Sequence, residues 1–332
     1  MNLSFLKDKT VLVTGAAGYI AARLTPYLAG AAGRIPRLDR PGAAFPPTDG
    51  PAVIRNIEAD IREGDLWNDL VQDTDFIFHF AAQTSVYAAE EDPSADLCIN
   101  FLPMTNLLAA CRRQRRRPVI LFAGTVTQVG ITTTVPVNED HPDRPITVYD
   151  LHKLLAEQYL RYHTHQGQVR GAVLRLANVY GPGPRSGSAD RGILNAMIRR
   201  ALNGEPITVY GDGNYLRDYI YIDDVARAFL AAAAHIEDMA GQYFVLGSGQ
   251  GHTFAAAMDM IAARVHYHTG REAEVVSVPP PERLSPIEFR QFVADSDRFR
   301  SRTGWRPQWE LRDGIDATIK DFLQKEGLTH GR

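Results

Sequence analysis

Cysteine is scarce: Cys98 and Cys111 are the only two among 332 residues. Two thiols cannot build a disulfide framework, and no Cys-x-x-Cys or Cys/His spacing suited to zinc occurs, so no metal is expected. The two cysteines read as lying on one helix, too far apart to bridge. Long apolar runs are missing too. No stretch approaches the ~18 residues of a membrane-spanning helix, and Arg227 breaks the Ala-rich stretch after Val225. The opening Met-Asn-Leu-Ser-Phe-Leu-Lys-Asp-Lys meets charge before an apolar core can form. A signal peptide is therefore not expected, and the reading is a cytoplasmic chain with no membrane partner. Charge excess is absent as well: 36 Lys+Arg against 39 Asp+Glu leave −3. That argues against nucleic acid as a partner. The basic run Arg112 to Arg117, broken by Gln114, reads as the solvated end of a helix, where cations suit the dipole.

What is present is a globular composition, 45% apolar and 23% charged. The length suits about two domains, or one large α/β unit with an appendage. Short apolar runs alternate with helical patterns: Thr10-Val11-Leu12-Val13, Ala52-Val53-Ile54-Arg55, Phe76-Ile77-Phe78-His79-Phe80, Val119-Ile120-Leu121-Phe122 and Gly171-Ala172-Val173-Leu174-Arg175-Leu176. Continuous apolar strands between helices imply an α/β fold with a doubly wound parallel sheet, covered on both faces. Such Rossmann sheets bind ligands outside the carboxyl ends of their strands. Residues 35–38 are the weakest strand because Pro36 cannot donate to a ladder, and Pro26 should kink or shorten the first helix. Beyond Asn178 the texture changes. Residues 181–188 are a loop by composition, followed by a helix near 191–203, a strand at 207–210, a turn at 211–214 and a helix from Asp223. Strands near 242–246 and 275–278 flank a helix running from Thr253 to about His268. This smaller α+β portion is expected to cap the mouth of the sheet.

Three constellations carry chemistry. Thr14-Gly15-Ala16-Ala17-Gly18-Tyr19-Ile20-Ala21 follows directly on the first strand. Glycines 15 and 18 let the backbone turn sharply toward a pyrophosphate, the next helix offers oriented N–H groups, and small Ala21 permits close packing. Asp39 sits about 20 residues beyond, where a carboxylate accepts from adenosine ribose hydroxyls and repels a 2′-phosphate. NAD is thus favoured over NADP, a preference that neighbouring Arg40 can soften. Asp60 and Ile61, after the third strand, are placed to flank the adenine. Finally, Tyr149 and Lys153 stand at i and i+4 on one helix face. A free tyrosine, with a pKa near 10, is a poor base at neutral pH. A nearby ammonium favours the phenolate, and Thr125 at the end of a strand can share the reacting oxygen's proton.

With these motifs in family order, the chain resembles the extended short-chain dehydrogenase/reductases, the NAD-dependent nucleotide-sugar epimerase/dehydratase family. The matching pieces also include Asp60-Ile61-Arg62, His79-Phe80-Ala81-Ala82-Gln83, Asn100, Leu174 to Gly183, Tyr210-Gly211-Asp212-Gly213, Arg217 to Val225, and Thr303-Gly304-Trp305-Arg306-Pro307. The resemblance implies that residues 1–178 bind NAD, with some later segments returning to that unit, and that 179–332 mainly bind substrate. It implies that Tyr149 is the catalytic base and acid, that Lys153 holds the cofactor's ribose and tunes the phenol, and that Thr125 fills the usual Ser/Thr position. Tyr19, Ile20, Phe80, Ala81, Ala82, Gln83, Asn100 and Ala177 fall on the cofactor side. Thr84 and Thr127 fall on the sugar side, and Asn178 and Arg217 fall at the substrate's diphosphate. A guanidinium fork suits that group; a surface ion pair with Asp218 is the alternative for Arg217.

The stretch after Thr125 discriminates between reactions. The 4,6-dehydratases that the chain resembles carry Asp-Glu there, whereas Val126 and Thr127 match UDP-galactose 4-epimerase-like enzymes. The expected activity is therefore NAD-dependent epimerisation of a nucleotide-diphosphate sugar, at carbon 4, through a transient keto sugar. A keto-sugar reductase or dehydrogenase is the alternative, with a dehydratase behind it; a non-enzymatic dinucleotide sensor on the same fold is disfavoured because Thr125, Tyr149 and Lys153 are all kept. Gln128-Val129-Gly130, Pro103 and His152 depart from the family pattern, so the sugar-facing loops 84–92 and 127–135 are expected to be unusual. His152 is expected to face solvent from its helix, with a substrate contact as the alternative. Leu107, Leu154 and Leu155 are expected to be exposed, supporting a homodimer through a four-helix bundle.

Overall fold

In the computed structural model, which describes residues 2–184 and 192–325, the apolar runs become strands of one seven-stranded sheet. Its members are β1 (Val11–Thr14), β2 (Arg34–Asp39), β3 (Val53–Glu58), β4 (Phe76–His79), β5 (Val119–Thr125), β6 (Arg170–Leu176) and, much later in the chain, Tyr243–Leu246. The spatial order is β3-β2-β1-β4-β5-β6 followed by that late strand, and every pair is parallel. Chain direction reverses its march between β1 and β4, the position at which such sheets open a crevice. This is the doubly wound α/β (Rossmann) fold.

Alternation along the strands builds two cores. Val11, Val13, Phe76, Phe78, Val119, Leu121, Ala172 and Leu174 enter one apolar cluster, while the intervening Leu12, Ile77, Ile120, Phe122 and Val173 enter another. Period-2 alternation sends neighbours to opposite faces, and here both faces are covered. The first face receives α1 (Tyr19–Ala29). The second receives α2 (Leu66–Val71), α5 (Leu102–Arg113) and α6 (Val148–His165), which lie near two further helices, α3 (Val86–Glu91) and α4 (Pro93–Asn100).

The remaining elements follow β6: β7 (Asn178–Tyr180), α7 (Ile193–Leu202), β8 (Ile207–Tyr210), β9 (Leu216–Tyr221), α8 (Ile222–Ala234), α9 (Ile236–Met239), β10 (Tyr243–Leu246), β11 (Gly251–Thr253), α10 (Phe254–Thr269), β12 (Val275–Val278), α11 (Asp297–Thr303) and α12 (Leu311–Lys325). A third apolar cluster unites α7, α10 and α12 with β8 and β9. β8 pairs with β12, and β9 lies between β7 and β11. Arg185 to Ser188 of the expected loop, and Arg191 at the expected start of α7, lie outside the described residues. α8 returns to the first face of the large sheet beside α1.

Several expectations are corrected. Pro36 lies inside β2, between β1 and β3. The β2–β3 register is continuous over Arg34 to Asp39. The β1–β2 register pairs Val13 with Arg37 and Thr14 with Leu38, with a separate bridge at Thr10 and Arg34. The missing proline donor falls in the gap between those pairings. Pro26 does not end α1, which continues to Ala29. Strand β10, expected in the small portion, edges the large sheet beside β6. The three-stranded β11-β9-β7 sheet was not expected, because its strands are short or mix polar and apolar residues. Cys98 and Cys111 lie on different helices, α4 and α5, separated at Phe101; Pro103 occupies the first turn of α5, where its missing N–H is harmless. Both thiols are free. Among the described residues, no helix is long and apolar enough to cross a membrane, and no group of three or more His, Cys, Asp or Glu is arranged to hold a metal.

Candidate active site

The carboxyl ends of β1, β2, β4, β5 and β6 form one edge, set by the registers Thr14 with Leu38 and with His79, and Thr125 with Leu176. The glycine turn starts there. Gly15 has φ +65°, and a Cβ on it would meet the Ala81 nitrogen at 2.7 Å. Only glycine fits both demands. Gly18 N–H donates to the Gly15 carbonyl at 2.9 Å, and Gly18 caps α1 with no side-chain acceptor. The first N–H groups of α1, including Ile20, are therefore left facing the turn. Tyr19 contributes its backbone, since its hydroxyl donates to Gly181 O at 2.6 Å and accepts from Asn195 at 3.2 Å.

Asp39 ends β2 beside this turn. Its carboxylate accepts from Ala17 N–H and Arg40 N–H, each at 2.8 Å, while the Arg40 side chain is exposed. The Asp60 carboxyl is bound by Arg62 at 2.9 Å, which holds it below the usual carboxylate range. Ile61 O accepts from the Trp67 indole at 3.0 Å. Below Phe80 and Ala81, the Thr14 hydroxyl shares a 2.9 Å hydrogen bond with His79 Nδ1 and accepts from Ala81 N–H at 3.3 Å. Burial, and secondarily the nearby Lys153, push His79 down to about 3, so this imidazole is neutral. Phe80 packs edge-to-face on Phe229, Ala82 is half-buried, and Ala177 N–H donates to Leu246 O at 2.9 Å.

Lys153 is buried, with Nζ 4.0 Å from the centroid of Phe122 on β5. Four residues earlier on α6, Tyr149 is also buried, against Val86 and Ala89 of α3. Thr125, the last residue of β5, stands 2.7 Å (Oγ1 to Oγ1) from Thr127, whose hydroxyl donates to Asp150 of α6. The first two turns of α6 thus cross the carboxyl end of β5, and the strand end that bears Thr125 is tied to the helix that bears Tyr149 and Lys153.

Beneath α6 lies a second network that the sequence did not announce. Asp96 of α4 accepts from Gln83 at 2.7 Å, from Asn100 at 2.8 Å and from His152 Nδ1 at 2.7 Å. The Gln83 side chain is thus engaged in structure. His152 is buried, correcting the expectation that it faces solvent: Asp96, brought close by α4, gives the imidazole a partner. Asn100 also donates to Gln83 O at 3.0 Å, while its buried Oδ1 has no protein partner. Thr84 is exposed. The expected loop 84–92 contains α3, capped by Ser85, and Val126–Val129 form a 3₁₀ turn.

Asn178 and Arg217 are joined by a residue that no motif announced. Arg290 donates to Asn178 Oδ1 at 3.0 Å, and Arg217 donates to the backbone carbonyls of Arg290 and Glu288. Burial first, then the Arg290 charge, lowers Arg217 to about 9. Asp218 does not pair with it. Strand alternation turns Asp218 the other way, where it accepts from Ser248, Gly249 and Ala294 N–H groups at 2.7–3.0 Å. Leu107 is wholly buried and Leu154 half-buried; Leu155 alone of the three expected leucines is exposed.

Comparison with known proteins accords with this geometry. The model of the NAD-dependent epimerase/dehydratase family matches residues 11–247. A UDP-glucose 4-epimerase of Mycolicibacterium smegmatis is 30% identical over 95% of this chain and 98% of its own. A GDP-6-deoxy-D-mannose reductase of Pseudomonas aeruginosa is 29% identical, covering 94% of this chain and 96% of the other. The structure of a Thermus thermophilus UDP-glucose 4-epimerase in complex with NAD superposes with a TM-score of 0.81 at 28% identity, over 95% of this chain and 99% of that one. The chain belongs to the NAD-dependent epimerase/dehydratase family.

Proposed function

We propose that this protein is an NAD-dependent nucleotide-sugar 4-epimerase. The observation that carries the reading is the crossing of α6 over β5, which sets buried Tyr149 and Lys153 beside the strand that ends in Thr125. The residues present fit NAD: Gly15 and Gly18 pack so closely on Ala81 and on the Gly15 carbonyl that no Cβ fits, which leaves the turn as bare backbone, Asp39 stands where ribose hydroxyls would donate, and the Asn100 oxygen awaits a donor. Residues 1–178, with α8 and β10 returning to them, would hold the cofactor. Tyr19 and Ile20 would serve through their N–H groups, with Asp60 and Ile61 near adenine and Phe80 to Ala82, Asn100 and Ala177 toward the nicotinamide. Bound NAD supplies a reversible hydride acceptor.

The chain's own residues handle the proton and the sugar. Lys153 favours the phenolate of Tyr149, which takes the proton of a sugar hydroxyl and returns it after the keto sugar has turned its other face. Thr125 shares the same oxygen. Arg217, Arg290 and Asn178, at the edge of the 179–332 portion, would bind the diphosphate, and Thr84 and Thr127 would border the sugar. Elimination is disfavoured because Val126 is apolar and buried, and both oxygens of the Asp150 carboxylate accept from threonine hydroxyls. We further propose a homodimer through α4 and α6.

Incubating the purified protein with UDP-glucose should give the 4-epimer without added nicotinamide and without net NADH. Tyr149→Phe should lower kcat by roughly 10²–10⁴ while leaving NAD bound. The similarity to a GDP-sugar reductase favours one second reading, in which a keto sugar is reduced with stoichiometric loss of reduced nicotinamide. That outcome, with no epimer formed, would replace the first reading.

A further inference from the structure

Five of the six residues from Arg112 to Arg117 are arginines. At the amino ends of β4, β5 and β6 a cleft of about 310 Å³ opens, lined chiefly by Arg115, Arg116, Arg117 and Arg170, with Asp75 its one acidic residue. Val119 at this end of β5 and Thr125 at the other are six steps apart, about 20 Å, so the cleft is no part of the candidate active site. The helix dipole accounts for part of the run only. Arg112 and Arg113 stand in the last turn of α5, where cations suit it, and Arg113 is engaged by Asn68 at 2.9–3.0 Å. Arg115 to Arg117 lie beyond that turn, and Arg170 arrives from β6. The backbone is a second sign. Arg116 N–H donates to Cys111 O at 2.9 Å and Arg115 N–H to Arg112 O at 3.2 Å, the paired bonds that close a helix over a left-handed residue. That residue is Arg115, with φ +50°. Glycine takes this place without steric cost, yet an arginine holds it and brings its charge to the cleft.

The counter-charges are few. Asp75 accepts Thr10 N–H at 3.0 Å and has Lys9 at 3.9 Å. Glu237 reaches Arg170 at 2.8 Å from an exposed position, and Arg116 donates to Thr74 O at 3.2 Å. Among the described residues no carboxylate pairs with Arg115, Arg116 or Arg117. We propose that this cleft binds a small, multiply charged phosphoanion, pyrophosphate or the diphosphate of a nucleotide, at a second site remote from the catalytic mouth. Guanidinium forks suit phosphate oxygens, and the cleft has the size of the smaller ligand pockets. The basic patch is local. The chain as a whole carries −3, so the extended positive stripe that holds a nucleic acid is missing. This second site stands whether or not the protein is an epimerase.

The test titrates inorganic pyrophosphate calorimetrically into the NAD-loaded full chain at fixed ionic strength. The double variant Arg115→Gly, Arg117→Gln should weaken one class of pyrophosphate binding by about tenfold or more. Pyrophosphate held at Arg217 and Arg290 is common to both proteins, so the difference belongs to the cleft. Arg115→Gly alone should weaken the same class without lowering the unfolding temperature, because glycine suits the left-handed backbone. A merely structural role for Arg115 would do the reverse. Equal pyrophosphate binding in the wild type and the double variant overturns the proposal. So does a wild type to which a single-stranded oligonucleotide or phosphatidylglycerol vesicles bind through Arg115 and Arg117 while pyrophosphate does not.

Discussion

At the scale of single residues, the end of β1 just before the glycine turn is held by a neutral histidine. His79 is fully buried, bonded to Thr14 and stacked on Phe122, and its pKa is pushed down to about 3 from the ordinary 6.5. In the unfolded chain the imidazole takes up a proton below about pH 6.5, whereas in the folded protein it stays neutral until about pH 3. The unfolded state therefore binds more protons throughout that window, and stability falls as pH drops through it. Between pH 7 and pH 5 the loss from this one group is on the order of 2 kcal/mol. His79→Gln removes the titration while keeping a polar partner for Thr14. Urea unfolding at the two pH values should show a larger fall for the wild type than for the variant. Parallel falls would mean that His79 is not the group responsible. The glycines were legible for a related reason: a sharp turn after an apolar strand leaves a local signature. Arg290 was not, because its partner Asn178 lies 112 residues away and nothing beside it in sequence marks it.

At the scale of elements, the central parallel strands β1, β4, β5 and β6 were readable because each is short and mainly apolar on both faces. β7, β9 and β11 were missed for the opposite reason. Leu216–Tyr221 carries Arg217 and Asp218 in its middle, and both are buried only because the fold supplies carbonyls for one and N–H groups for the other. The closing Gly-Trp-x-Pro resemblance has a physical basis. Asp224, at the start of α8, accepts the N–H groups of Gln308 and Trp309 at 3.0–3.2 Å, and its carbonyl accepts the Trp305 indole at 3.1 Å. The junction of α4 with α6 makes a sharper prediction. His152 supplies one of three donors to wholly buried Asp96, so His152→Ala should cost about 1–3 kcal/mol. Exposed His266 replaced by Ala should change stability by less than ~0.5 kcal/mol. Thermal unfolding of the two variants checks this, and equal effects would return His152 to an ordinary surface position.

At the scale of the whole molecule, the question is what covers the outer face of α4 and α6. Leu97, Leu151, Leu155 and Tyr162 are 37–59% exposed there. On α6, positions 151, 155 and 162 recur at helical spacing along one stripe, while the inward positions Ala156 and Leu160 join the core of the large sheet. The sequence pointed to α6 and to the helix over residues 100–111, which is α5 rather than α4, and its Leu107 is buried, because an apolar stripe read from one helix does not say which side the sheet occupies. A stripe of large apolar side chains on adjoining helices is the kind of surface that a second copy covers, each chain offering the same patch. The double variant Leu151→Asp, Leu155→Asp places two carboxylates on that face. Sedimentation should show a dimer for the wild type and a monomer for the variant. The variant should keep the unfolding transition of its own core, because neither leucine contributes to it. A wild type that sediments as a monomer at micromolar concentration would leave the stripe an exposed surface of a lone chain, and Tyr149 and Lys153 of α6 would then work without a partner's support.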